Sequence, residues 1–107
     1  MLELLPENDP VSALRFLLLE AVNREASDIH IEPMDRDCRV RFRIGVELSE
    51  YFHFSQSLMK DLQVRIKVVA GMDIGESRRP QDGSFSRVFS GRLFDFRVSF
   101  LPSILWR

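Results

Sequence analysis

The chain has 107 residues, 45% hydrophobic and 29% charged, the balance of one globular domain with little room for a second. At this length roughly two thirds of the unfolded chain's surface can be buried, so a core can form without disulfides or a structural metal; the single cysteine, Cys38, excludes a bridge within the chain. Fifteen basic residues against 16 acidic ones give a net charge of -1, which excludes a protein that coats polyanions over its whole surface.

Asp9-Pro10 predicts a helix N-cap followed by proline at the first helical position, where its missing N–H costs nothing. Leu14, Leu17, Leu18, Ala21 and Val22 then recur at the spacing of one apolar stripe, which predicts a helix ending near Ala26. Ser27-Asp28 opens a short strand, Ile29-His30-Ile31, and Pro33 to Asp37 is turn chemistry. Arg39, Arg41 and Arg43 alternate with Val40, Phe42 and Ile44, so a strand there sets three guanidinium groups on one face and three apolar side chains on the other. Gly45 allows a turn before Val46 to Phe54, a β-prone run that pairs back antiparallel.

Ser55 can cap a second helix, striped by Leu58, Met59, Leu62, Ile66 and Val69 and ended by Gly71 at a left-handed position. Residues 73 to 84 hold little apolar material and predict a polar loop containing Arg78-Arg79-Pro80-Gln81-Asp82-Gly83. The last elements are a hairpin turning at Gly91-Arg92, with Phe94, Phe96, Val98 and Phe100 facing the core and Asp95, Arg97 and Ser99 facing away. Two helices and mainly hairpin-connected strands make a two-layer α+β domain with a mostly antiparallel sheet.

No arrangement of catalytic or metal-ligating residues stands out. His30 and His53 lie in separate strands without HxH or HxxxH spacing, Cys38 has no CxxC partner, and neither GxxxxGK[ST] nor GxSxG occurs. No metal site and no catalytic residue is therefore assigned, and the chain alone is expected not to be an enzyme. What remains is arginine, 13 of the 15 basic residues, the side chain suited to planar recognition of carboxylate or phosphate. The three strand arginines fit either a solvated face offset by carboxylates such as Glu47, or an anion-facing surface. For Arg97 the same choice arises, with Asp95 two residues away as its nearest acidic neighbour in sequence. Residues 1 to 77 carry 9 basic and 14 acidic groups, whereas residues 78 to 107 carry 6 and 2, so the C-terminal part is the basic one. No run approaches the roughly 20 apolar residues of a membrane-spanning helix, and Met1 to Pro6 lacks the basic region of a signal peptide, so a cytoplasmic location is expected.

Ala26-Ser27-Asp28-Ile29-His30-Ile31-Glu32-Pro33 and Arg79-Pro80-Gln81-Asp82-Gly83, together with Arg41-Phe42-Arg43-Ile44-Gly45, Arg65-Ile66-Lys67-Val68, Met72-Asp73-Ile74 and Asp95-Phe96-Arg97-Val98-Ser99, occur in order and in register. In these motifs the chain resembles the N-terminal domain of the type II secretion and type IV pilus assembly ATPases. The resemblance implies a PAS-like domain over residues 11–103, preceded by a lead-in at 1–10 and followed at 104–107 by a truncated linker toward a RecA-like motor domain. It implies that Arg97 contacts nucleotide phosphates in a full-length parent, with ATP and Mg expected there and no cofactor in this chain alone. It places Arg79, Pro80, Gln81, Asp82 and Gly83 at a domain interface and gives Asp28 a structural role at the helix-to-strand turn. The implied partners are the motor domain of the same or a neighbouring subunit, further copies in a homo-hexamer, and inner-membrane platform components of a secretion or pilus machine. The location implied is cytoplasmic, peripheral at the inner membrane. The sequence departs from the family pattern at Ile44-Gly45, one residue short for the first hairpin, and at Ser84, where arginine is common. A different class of reading is a free-standing PAS-like sensor or a nucleic-acid-binding module, which Arg41-Phe42-Arg43 would serve only if the aromatic and the guanidinium groups shared a face.

Overall fold

A computed structural model describes residues 3–4, 9–34, 37–76 and 78–101. The elements run β1 (Glu3–Leu4), α1 (Pro10–Asn23), β2 (Asp28–Pro33), β3 (Asp37–Ile44), β4 (Glu47–Ser55), α2 (Gln56–Ala70), β5 (Gln81–Phe89) and β6 (Arg92–Phe100). The six strands form one sheet in the order β1-β4-β3-β2-β6-β5. Pairs β2–β3, β3–β4 and β5–β6 are antiparallel, while β2–β6 and the two-residue β1–β4 contact are parallel. The sheet is thus a three-stranded meander, β2-β3-β4, and a hairpin, β5-β6, linked by the crossover helix α2 and joined along the parallel β2–β6 seam. The expected linker at 104–107 lies outside the described residues.

The core forms where the predicted stripes meet. Leu14, Leu17, Leu18 and Ala21 of α1 and Leu58, Leu62 and Ile66 of α2 are buried against one face of the sheet, made by Ile29, Ile31, Val40, Phe42, Phe52, Phe54, Phe96, Val98 and Phe100. Val69 and Val22 are only partly buried, and the Met59 side chain lies outside what is described. Cys38 is in this core, and burial pushes its thiol pKa well up, so it is an inert filler rather than a nucleophile.

Asp9 caps α1, its carboxylate accepting from the Val11 N–H at 3.4 Å and the Ser12 hydroxyl at 3.0 Å, with Pro10 opening the helix. The helix ends at Asn23, earlier than the expected Ala26, because Glu25 turns into the left-handed region at φ 57° and lets the Ala26 N–H close on the Ala21 carbonyl at 2.9 Å. Gly71 ends α2 in the same way, as expected, at φ 72°. The first hairpin closes despite its short sequence, on a two-residue turn, Gly45-Val46, with Gly45 at φ 63°. The second turns at Ser90-Gly91, one residue before the expected Gly91-Arg92, since both turn residues carry positive φ, 53° and 75°. The expected loop over 73–84 is shorter than its polarity suggests, since β5 begins at Gln81 and Gln81 to Ser84 belong to the sheet.

Candidate functional site

The helices cover one face of the sheet, and on the other the strand alternation sets Asp28, His30 and Glu32 of β2 directly opposite Arg43, Arg41 and Arg39 of β3. The Glu32 carboxylate is buried beneath the arginines it serves. Its Oε1 accepts from Arg39 Nε at 2.7 Å and its Oε2 from Arg41 Nε at 3.0 Å and Arg41 Nη2. Arg39 also donates through Nη1 to Glu50 at 2.6 Å, and this bond, more than any other influence, raises the Arg39 pKa. Glu50 reaches that face because β4 bulges opposite Val40/Arg41, so that His53 and Glu50, three apart, both sit across from the arginines while Tyr51 turns inward to stack on Phe42 at 5.3 Å. The offsetting carboxylates are therefore Glu32, Glu50 and Asp28, not the Glu47 expected from sequence, which stands at the end of β4 opposite Ile44. Phe42 is 0% exposed, so aromatic and guanidinium groups occupy opposite faces and offer no stacking platform for bases.

Arg97 differs from the β3 arginines. It projects from β6 with its side chain 74% exposed and, among the described residues, is ion-paired with one carboxylate, Asp28, with Nε 2.9 Å from Oδ1. Asp95, its nearest acidic neighbour in sequence, accepts instead from Ser86. The contacts of Asp28, to which the resemblance gives a structural role, reach beyond the helix-to-strand turn. Besides Arg97 it holds the Ser27 hydroxyl at 3.1 Å and lies 3.6 Å from Arg43 Nε, tying β2 to β3 and β6. Around Arg97 lies an open depression of about 410 Å³ lined by Asp28, Asp82, Gly83, Ser84, Val98 and Ser99. Asp82 accepts from Ser99 at 2.6 Å across the β5–β6 pair.

The expected interface segment therefore divides. Asp82 and Gly83 join Arg97 in the depression, whereas Arg79 and Gln81 line a separate narrow crevice with Pro33, Lys67, Glu76 and Phe100, and Pro80 is an exposed residue just before β5. Gln81 anchors the preceding loop, accepting from the Asp73 N–H at 2.8 Å and donating to the Asp73 and Glu76 carbonyls at 3.2 Å. Lys67, buried at 5% exposure, donates to the Glu76 carbonyl at 2.6 Å and lies 5.3 Å from the Phe100 ring. The Glu76 carboxylate accepts from the Arg78 and Arg79 N–H groups, which holds its pKa below the usual value. Gly83 is fixed by space, because a Cβ there would lie 2.6 Å from the Ala70 carbonyl oxygen.

Among the described residues the depression has one cationic donor, the Arg97 guanidinium, beside the Asp28 and Asp82 carboxylates, which makes it a poor site for a free phosphate bound alone. Among the described residues no group of three His, Cys, Asp or Glu converges on a possible metal position, and no helix is long and apolar enough to cross a membrane. Sequence reading passed over Glu32 and the reach of Asp28. Their signal was the period-two row Asp28-His30-Glu32, which antiparallel pairing of β2 with β3 lays against Arg39-Arg41-Arg43.

Residues 7–106 match the family described as Type II/IV secretion system protein. The chain is 42% identical over 104 residues to the Type II secretion system protein E of Klebsiella pneumoniae, a match covering 94% of this chain and 21% of that protein. It is 41% identical over 104 residues to the Type IV pilus assembly ATPase PilB of Pseudomonas aeruginosa, covering 94% and 18%. To the PilB of Myxococcus xanthus it is 39% identical over 95 residues, covering 88% and 17%. The chain spans about a fifth of the length of these curated relatives.

Proposed function

The chain belongs to the Type II/IV secretion system protein family, and from that membership we propose that it is the non-catalytic N-terminal domain of a secretion or pilus-assembly ATPase. In this reading it couples the nucleotide state of a RecA-like motor domain, in the same or a neighbouring subunit, to rotation between domains. The longer protein works as a homo-hexamer in the cytoplasm, at the periphery of the inner membrane, against platform components of the machine.

The observation that carries the reading is Arg97: an arginine 74% exposed at the rim of an open depression, held through one nitrogen. Mg-ATP bound by the motor domain would supply a concentrated negative charge at the facing surface. Arg97 can meet that charge with its terminal nitrogens, a charge-assisted and geometrically specific contact. Its present ion pair with Asp28, in which Arg97 is 74% exposed, is worth below about 1 kcal/mol, enough to bias the orientation of the guanidinium but not to hold it back from a phosphate. The contact forms only when the two surfaces close, and a difference in phosphate charge thereby becomes a difference in domain orientation. Asp82, Gly83 and Ser84 flank Arg97 and would form the rest of the closing surface, whereas Arg79 and Gln81 line the separate crevice and Pro80 lies exposed just before β5.

In the full-length protein, Arg97→Ala is expected to lower ATP turnover about a hundredfold while leaving the melting temperature of this 107-residue domain nearly unchanged. Unaltered turnover, or a fall of many degrees in melting temperature, would show that Arg97 is not a nucleotide contact. Hydrolysis by the 107-residue chain alone would refute the non-catalytic assignment.

A further inference from the structure

We propose that Asp28 is a positioning residue for Arg97, holding the guanidinium by Nε so that its terminal nitrogens are presented to a phosphate of the nucleotide; this rests on the reading of Arg97 given above. The parallel register Ile29↔Val98 sets Asp28 and Arg97 side by side at the start of the β2–β6 seam. Their exposures are opposite: the Asp28 side chain is 12% exposed and forms a fixed floor, whereas Arg97 stands out into solvent.

Asp28 cannot swing away, because Oδ2 is engaged by the Ser27 hydroxyl at 3.1 Å and faces Arg43 Nε at 3.6 Å, which leaves Oδ1 aimed at Arg97 Nε at 2.9 Å. An ion pair at Nε biases the orientation of the guanidinium plane, while Nη1 and Nη2 have no partner among the described residues. Part of the rotamer freedom that an exposed arginine loses on meeting an anion is thus already lost. Arg43 completes the arrangement. With a second guanidinium beside Asp28, the carboxylate stays compensated when Arg97 turns to a phosphate, so its own charge does not repel the ligand.

A double-mutant cycle on ATP turnover by the full-length protein tests this. Asp28→Asn is expected to lower kcat about tenfold, with KM little changed, when Arg97 is present, and to cost nothing further in an Arg97→Ala background. Asp28→Glu, which keeps the charge and the acceptor, should recover part of the loss. A second measurement needs no variant of Asp28: in the 107-residue chain the Nε–H of Arg97 should be ordered and slow to exchange compared with that of Arg65, which is exposed on α2 with no ion pair among the described residues. If Arg97→Ala leaves turnover intact, the nucleotide contact and this inference fall together. If Arg97→Ala impairs turnover but Asp28→Asn does not, or impairs it equally in both backgrounds, or if the Arg97 Nε–H is as mobile as that of Arg65, only the positioning role falls.

Discussion

Glu32 shows how one side chain decides what a surface is. Three arginines in alternation on a strand repel one another unless carboxylates lie among them, and Glu32 serves two of them with separate oxygens while itself 5% exposed. A buried carboxylate that loses its charge leaves Arg39 and Arg41 facing a neutral group, with Glu50 the remaining acid bonded to either. Glu32→Gln should therefore lower stability by about 2 kcal/mol, read as a shift of the urea midpoint at unchanged slope. A change within experimental error would show that the pairs are solvated ornaments of the surface. The arginine row was plain in the sequence, but its partner was not. Glu32 looks in sequence like the end of a short strand before a proline, and only the antiparallel register of β2 with β3 brings it opposite Arg39.

At the scale of elements, the legible features were those that repeat with a period, and the illegible ones were single-residue events. The stripe of α1, the alternation of β3 and β6 and the glycine stop of α2 all stand where the spacing places them. The β4 bulge does not follow from any period: it moves Glu50 rather than Tyr51 onto the arginine face, and nothing in Ser49-Glu50-Tyr51-Phe52 announces it. The start of β5 was hidden for another reason, because Gln81-Asp82-Gly83-Ser84 has the composition of a turn while its role is close packing. Gly83 brings β5 against the end of α2, where an added Cβ would lie 2.6 Å from the Ala70 oxygen, 2.9 Å from the Ala70 Cβ and 2.9 Å from the Met72 Cε. Met72 can give way, but backbone cannot, so Gly83→Ala should cost about 1–3 kcal/mol through displacement of β5 from α2. Unfolding of this variant by urea measures the cost, and a stability equal to that of the parent chain would mean the strand shifts freely.

Over the whole molecule the sheet divides the chemistry, with a core on the helix side and a charged lattice on the other, and His30 stands in the middle of that lattice. Its Nδ1 is buried without a hydrogen-bond partner among the described residues. On its own strand it has Asp28 and Glu32, on β3 Arg41 and Arg43, and on β6 the uncharged Ser99 as its register partner. Burial, and after it the Arg41 charge, lower the His30 pKa below 6.5 despite the two carboxylates. The unfolded chain, with histidine near its ordinary value, therefore takes up this proton at a higher pH than the folded one does. Stability from the neutral imidazole is complete above about pH 6.5 and declines as the pH falls from there toward the folded-state value, with a limiting slope of about 1.4 kcal/mol per pH unit for one proton. Urea unfolding at about pH 7.5 and about pH 5.5 should show the loss in the parent chain and a smaller one in His30→Gln. His53, whose Nδ1 lies 3.3 Å from the Asp37 carboxylate, is present in both proteins and cancels from the comparison. Equal losses in the two would place the acid sensitivity in the carboxylates of the lattice and remove His30 from it.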